Sequence, residues 1–303
     1  MAGEVLELGT GDRVPSICFG GGARIHDGRV FEEALSAGYR FFDTAVTYRN
    51  DHLLFSSEIG RRLLAESRES VVVCSKVSLW NPLPDVVSEA LGRMGLEYVD
   101  LLLLHHPVHP KGDDPVGKLR NTWKAMEQLI DDGLVRMLGL SNTGPSLLRF
   151  VLDFCRIAPV VDQIEFHPYA QDRGLLAACE AAGVRVQAYC PLGSPWRQAE
   201  RGQKPPTVDP VVMEIAHTKG RAPSQVILRW LMDMRVIPVV SAMRAEHMRQ
   251  NLEVFDFELD RSERGAIDAL DRQDRIWRDP VKLASLFGTV TDGALTIPEQ
   301  WPE

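Results

Sequence analysis

The chain has 303 residues, with 34 basic against 42 acidic side chains, so its formal net charge is −8. Hydrophobic residues at 45% and charged residues at 25% exclude intrinsic disorder and a disulfide-built miniprotein. The negative charge argues against a nucleic acid or an anionic membrane as partner.

The five cysteines, Cys18, Cys74, Cys155, Cys179 and Cys190, form no C-x-x-C pair, so neither a zinc knuckle nor a dithiol redox site is signalled. The first residues lack the basic flank and apolar core of a secretory signal, and no apolar stretch approaches the roughly 20 residues that cross a bilayer. A cytoplasmic protein with reduced thiols is expected.

Taken in chain order, Val5–Leu8 and Val14–Ile17 flank Gly9-Thr10-Gly11-Asp12 and predict a small hairpin. Eight short apolar runs follow: Ile17–Phe19, Tyr39–Asp43, Val71–Val77, Val99–Leu104, Val135–Leu140, Val160–Ile164, Val184–Tyr189 and Val236–Val240. Most are apolar without a polar alternate, the pattern of parallel strands covered on both faces. Between them apolar residues recur at helical spacing: Phe31, Ala34 and Leu35; Val86, Val87, Ala90, Leu91 and Met94; Trp123, Met126, Leu129 and Ile130; Val226, Ile227, Trp230 and Leu231. Gly38, Gly95, Gly133 and Gly183 each stand where such a helix must stop before a strand.

Eight strands alternating with eight helices predict an α/β fold, a (β/α)8 TIM barrel with an N-terminal β-hairpin, although a doubly wound sheet also alternates. One domain spanning 1–303 is expected, with 271–303 a loop-like tail that shapes the substrate pocket.

Chemistry in such a barrel gathers where strands end. Strand 2 ends in Asp43-Thr44-Ala45-Val46-Thr47-Tyr48, strand 3 in Ser75-Lys76, and strand 4 in His105-His106-Pro107. Taken singly, Asp43 reads as a helix cap, Lys76 as a solvated charge and Tyr48 as a half-buried aromatic. Together they form a unit. Lys76 beside Asp43 is held charged, and a fixed cation near Tyr48 is expected to lower the phenol pKa from ~10. A tyrosine so tuned donates a proton, while a neutral His105 hydrogen-bonds a substrate oxygen.

Here the sequence resembles the aldo-keto reductase superfamily, over essentially its whole length. The resemblance rests on Asp43-Thr44-Ala45-x-x-Tyr48-x-Asn50, Lys76 after an apolar strand, Leu103-Leu104-His105-x-Pro107 and Gly139-Leu140-Ser141-Asn142. It continues in Gln163-x-Glu165-x-His167-Pro168 and Ala188-Tyr189-Cys190-Pro191-Leu192-Gly193. It implies a monomeric barrel that binds NADP(H) across its rim and reduces a small-molecule aldehyde or ketone by hydride transfer. Asp43, Tyr48, Lys76 and His105 match the family's catalytic tetrad. Ser141, Asn142 and Gln163 match residues that bond the nicotinamide carboxamide, Tyr189 the ring that stacks on it, with Cys190 beside it. Leu192 and Ser194 match the loop over the pyrophosphate.

The chain departs from the family pattern after strand 8, where Ser241, Ala242 and His247 occupy positions commonly held by Lys, Ser and Arg. Only Arg244 and His247 remain as candidates to meet a 2′-phosphate, with Arg249 a weaker third, so NADP is expected and NAD stays the alternative. Asn251 is expected to reach the adenine. At three pocket positions where relatives often carry large aromatics stand Gly22, Ser78 and His106, which predicts a wide, fairly polar pocket. Trp80, Trp196, Trp277 and Trp301 are candidates to refill it.

Other patterns carry less. His105, His106 and His109 lack the helix that a zinc-type H-x-x-x-H needs, because Pro107 interrupts them, and no metal is expected. Gly20-Gly21-Gly22 is not G-x-G-x-x-G, and Gly139–Gly144 is one residue too long for a nucleophile elbow. Two other functions compete with carbonyl reduction: a regulatory barrel that binds the cofactor with little turnover, and a biosynthetic ketone or imine reductase.

Overall fold

A computed structural model describes residues 4–79, 83–108 and 114–277, together with the strand segments 289–291 and 294–296. The predicted hairpin is present as β1 (Val5–Glu7) and β2 (Arg13–Pro15), paired antiparallel. Eight strands then close a barrel: β3 (Cys18–Gly20), β4 (Phe41–Asp43), β5 (Val72–Val77), β6 (Val99–Leu104), β7 (Val135–Ser141), β8 (Val161–Glu165), β9 (Arg185–Tyr189) and β10 (Ile237–Val240). Neighbours pair in parallel in that order, and β10 closes on β3. The doubly wound alternative is excluded by this closure.

The helices are α1 (Gly28–Ala37), α2 (Glu58–Ser67), α3 (Leu83–Met94), α4 (Pro115–Asp131), α5 (Pro145–Phe154) and α6 (Arg173–Ala181). After β9 come α7 (Pro195–Glu200), α8 (Pro210–Lys219) and α9 (Pro223–Asp233); after β10 come α10 (Ala245–Leu252) and α11 (Arg261–Asp268). The expected eight are therefore exceeded, because the connections after β9 and β10 carry extra helices. The predicted tail is more than loop, since β11 (Thr289–Thr291) and β12 (Ala294–Thr296) pair as a second antiparallel hairpin. Among the described residues no helix is long and apolar enough to cross a membrane.

Helix boundaries follow from local chemistry. Asp27 caps α1 by accepting the Arg29 amide, and Gly38 ends it at φ 114°, its amide returning to Ala34 and Leu35. Few side chains adopt that left-handed backbone, so the stop is encoded in the glycine. The apolar helix stripes face inward as their spacing predicts: Phe31, Ala34, Leu35, Trp123, Met126, Leu129, Trp230 and Leu231 are all buried.

The strand pleat creates two cores and positions the site. Outward residues such as Phe19, Phe42, Val73, Leu102 and Leu138 pack under the helices. Inward residues such as Cys18, Phe41, Cys74, Leu101, Leu103 and Val161 fill the barrel, and Leu8 and Val14 of the hairpin segment join that inner cluster. Two residues further along, the inward face turns polar. Phe41 is succeeded by Asp43, Cys74 by Lys76, Val161 by Gln163 and Leu103 by His105, because residues two apart share a face. Gly139 leaves room inside the barrel for the Leu103 side chain, since a Cβ there would collide with Leu103 Cδ2 and lie 2.8 Å from the Val161 carbonyl oxygen.

Candidate active site

The polar ends of the inward faces converge on one rim. Lys76 on β5 is fully enclosed, and its Nζ donates to Asp43 Oδ1 at 2.6 Å and to the Thr44 carbonyl at 2.8 Å. Burial, the largest single influence, works against this ammonium, but Asp43, Tyr48 and Cys74 together outweigh it, and Lys76 is held well above the usual lysine range. Tyr48 ends a single 3-10 turn, Val46–Tyr48, just beyond β4. Its ring lies 5.2 Å from Lys76 Nζ and meets His105 edge to face with centroids 5.9 Å apart. His105 follows β6, and its amide donates to the Val77 carbonyl at 2.7 Å. All four residues therefore share one pocket floor.

The expected lowering of the Tyr48 pKa is corrected by this geometry. Burial pushes the phenol up, Lys76 pulls it down, and Asp43 opposes Lys76. The net shift is upward, because Lys76 arrives already paired, and a neutral pair stabilises a phenolate far less than a lone cation. Tyr48 is thus a protonated phenol at neutral pH.

The candidate carboxamide residues also meet. Ser141 Oγ donates to the Gln163 carbonyl at 2.8 Å, and Gln163 Nε2 donates to Asp43 Oδ2 at 2.8 Å and to Gln187 Oε1 at 2.9 Å. Asn142, with φ 59°, turns its Nδ2 to the His105 carbonyl at 2.8 Å and to Ser141 Oγ at 3.0 Å, while its Oδ1 accepts from Tyr189 OH at 2.8 Å. One hydrogen-bonded net thus joins β4, β7, β8 and β9. Gln187, a fully buried polar residue between Val186 and Ala188 in β9, is the signal in the sequence that marks this net.

Leu192 and Ser194 lie on the turn that enters α7, with Ser194 buried and Leu192 half-buried. Ser241 Oγ donates to the Gly20 carbonyl and ties β10 to β3. Arg244 precedes α10 at the surface, and no ion pair engages it among the described residues. His247 is exposed one turn on, and Asn251 is buried against the Tyr39 phenol.

On the substrate side, a Cβ at Gly22 would meet nothing within 4 Å, Ser78 is buried, and the His106 ring stacks on His105 at 4.3 Å. Asn50 Nδ2 fixes the Gly22 loop by donating to the Gly21, Gly22 and Ile25 carbonyls, each at 3.0 Å. Trp196 and Trp277 converge edge to face at 6.4 Å; Arg24 stacks on Trp196 at 3.9 Å, and Arg197 on Trp277 at 3.7 Å. Trp80 and Trp301 lie outside the described residues.

Two buried carboxyls beside this net have no role assigned from the sequence, although Glu165 stands within the Gln163-x-Glu165-x-His167 motif. Glu165, at the end of β8, accepts from His167 Nε2 at 3.1 Å and from the Ile276 and Trp277 amides. Burial would raise its pKa, yet these donors outweigh burial and hold the carboxyl below the usual range. Asp162 accepts from Thr143 Oγ1, next to Asn142, and its Oδ1 has no hydrogen-bond partner among the described residues. Burial pushes the Asp162 carboxyl up to about 7, against the opposing Thr143 bonds.

Ionised Asp162 therefore costs stability, which is full near pH 4 and falls as pH rises through about 7. Asp162→Asn keeps an acceptor for Thr143 and removes the ionisation. Its stability should gain on the parent by about 3 kcal/mol from pH 5 to pH 8, read as diverging melting temperatures. Parallel pH profiles for the two proteins would refute this.

Comparison with known proteins identifies the family. Residues 26–272 match the family model described as the Aldo/keto reductase family. The chain is 36% identical to mouse (Mus musculus) aldo-keto reductase family 1 member A1, over 95% of this chain and 94% of that one. The human (Homo sapiens) counterpart is 35% identical with the same coverage. Among solved structures, the Bombyx mori aldo-keto reductase in complex with NADP superposes with a TM-score of 0.82 at 27% identity, covering 91% of this chain and 95% of that one. The aldose reductase of Schistosoma japonicum gives a TM-score of 0.79 at 30% identity, covering 90% and 93%.

Proposed function

The chain belongs to the aldo/keto reductase family, and from that premise we propose how its residues perform the family's NADP-dependent carbonyl reduction. The enzyme is an NADP-dependent oxidoreductase acting on a small carbonyl compound. The observation that carries the residue assignment is the enclosed Lys76–Asp43 pair beside a protonated, half-buried Tyr48.

The donor set suits the cofactor. A carboxamide needs both donors and acceptors at one edge, and Ser141, Asn142 and Gln163 supply hydroxyl and amide groups there within one connected net. The Tyr189 ring borders them. Arg244 offers an uncommitted guanidinium fork, the geometry that suits a phosphate, and His247 stands one turn away. When bound, NADPH supplies the hydride.

The protein's own residues do the rest. His105 orients the carbonyl oxygen, and Tyr48 OH gives that oxygen its proton as negative charge develops. Lys76 and Asp43 hold Tyr48 in place and keep a cation within reach of the phenolate left behind. The open space before Gly22, with Ser78 and His106, supports a wide, fairly polar pocket bounded by the tail. The whole chain is read as one domain, working as a monomer in the cytoplasm with free thiols.

Fluorescence titration with NADPH and NADH, followed by a panel of aldehydes and ketones, tests the reading. Arg244→Met should weaken NADPH binding by about tenfold and leave NADH unchanged, since it removes a phosphate partner only. Equal losses for both cofactors would remove Arg244 from the 2′-phosphate site.

A further inference from the structure

Beyond α11 the chain runs back to the β8–α6 connection, and residues 271–277 are fastened there step by step. Asp271 Oδ1 accepts from the Gln171 amide at 3.1 Å, and Gln273 Nε2 donates to the Gln171 carbonyl at 3.0 Å. The Arg272 and Asp274 amides both donate to the Tyr169 carbonyl, at 3.3 and 2.8 Å. Arg275 Nη2 reaches Asp172 Oδ2 at 3.1 Å.

The last fastening differs in kind. Glu165 is 1% exposed, and its two carboxylate oxygens are committed to the Ile276 and Trp277 amides, with His167 as the third donor. Burying a carboxylate is costly unless its hydrogen bonds are made, and here two come from the tail backbone. A neutral amide of the same shape could accept on one oxygen only.

What this fastening holds in place is Trp277. Its Nε1 donates to Cys190 Sγ at 3.3 Å, its face carries the Arg197 guanidinium, and its ring meets Trp196. Cys190 follows Tyr189, whose hydroxyl holds Asn142, and the Cys190 thiol lies close enough to Tyr48 to interact with it electrostatically. Trp277 therefore stands beside Cys190 at the rim, and its position is set more than 100 residues upstream.

We infer that Glu165 is a positioning residue: through the Ile276 and Trp277 amides it fixes Trp277 as a pocket wall and so governs which carbonyl substrates fit. The inference rests on the reading of this rim as a carbonyl-reducing site. It assigns Glu165 no contact with substrate or cofactor. Its effect should appear in KM for substrates long enough to touch the wall and be absent for short ones.

A double-mutant cycle with Glu165→Gln and Trp277→Ala tests it, using propanal and 4-benzyloxybenzaldehyde as substrates. Glu165→Gln should raise KM for the aryl aldehyde by about tenfold, while kcat for propanal and the NADPH Kd stay within about twofold. In the Trp277→Ala background the same change should add nothing, because the wall it positions is gone. Additive losses, or an equal loss with propanal, would overturn the inference and place Glu165 in support of Gln163 instead.

If Glu165→Gln fails to fold, Gln273→Ala decides, since it removes an exposed fastening of the same segment. An aryl-specific KM rise that vanishes in Trp277→Ala supports the inference, and no rise overturns it. Should the parent reduce neither these two aldehydes nor any member of the aldehyde and ketone panel, the reductase reading itself fails. The Trp277 emission, taken as the difference from Trp277→Ala, then still reports on the fastening. A red shift in Glu165→Gln supports it, and an unchanged spectrum overturns it.

Discussion

Tyr48→Phe should lower kcat for carbonyl reduction by about 10³-fold or more while leaving the NADPH Kd within about threefold. The phenylalanine ring keeps the edge-to-face contact with His105 and the 5.2 Å approach to Lys76, so the pocket floor retains its shape. Only the hydroxyl is lost. Without it the developing alkoxide has no proton source, and the neighbouring ammonium is committed to Asp43 and the Thr44 carbonyl. Because that proton is needed in the transition state, kcat and kcat/KM should fall together, with KM little changed. Steady-state rates with one aldehyde and one ketone, beside a fluorescence titration, measure both sides of the claim. Turnover within tenfold of the parent would move the proton donor elsewhere, His105 being the next group on the floor.

The residues of that floor were legible because a barrel strand has a simple rule. Inward positions recur every second residue, and the last inward position of each strand faces the rim. Asp43 and Lys76 stand where that rule puts functional groups, whereas Gln163, one inward step before the end of β8, was legible only through the family resemblance. The sign of the Tyr48 shift was not legible, since it depends on how deeply the phenol is enclosed and on Lys76 being paired. Strand spacing reports neither. The fastening of the tail was equally hidden. Glu165 and Trp277 are far apart in sequence, and a carboxylate that accepts backbone amides leaves no mark in the side-chain pattern of its partners. Trp196 and Trp277 were visible as candidates for the pocket, but their convergence on Arg24 and Arg197 depends on loops that have no period to read. The helices added after β9 and β10 fall in the same class.

Lys76→Met should destabilise the enzyme by about 3–5 kcal/mol, because it strands the Asp43 carboxylate in an enclosed site. Gln163 Nε2 still donates to Asp43 at 2.8 Å, but one neutral hydrogen bond does not replace an ammonium. For a chain of this size the melting temperature should fall by about 5–8 °C. Reduction should be lost as well, since the phenolate left by proton donation would face Asp43 without a cation.

Stability and activity then separate in a second variant. Adding Asp43→Asn to Lys76→Met removes the stranded charge while keeping an acceptor for Gln163, so much of the lost stability should return. Breaking a buried pair is costly because of the charge it leaves, whereas a matched neutral replacement is often tolerated. Activity should not return, because the cation beside Tyr48 is still missing. Thermal melts of the two variants measure the first claim and NADPH oxidation the second. A double variant no more stable than Lys76→Met would mean that the loss came from packing around the lysine stem. A double variant that reduced aldehydes would show that Tyr48 needs no cation to give up its proton.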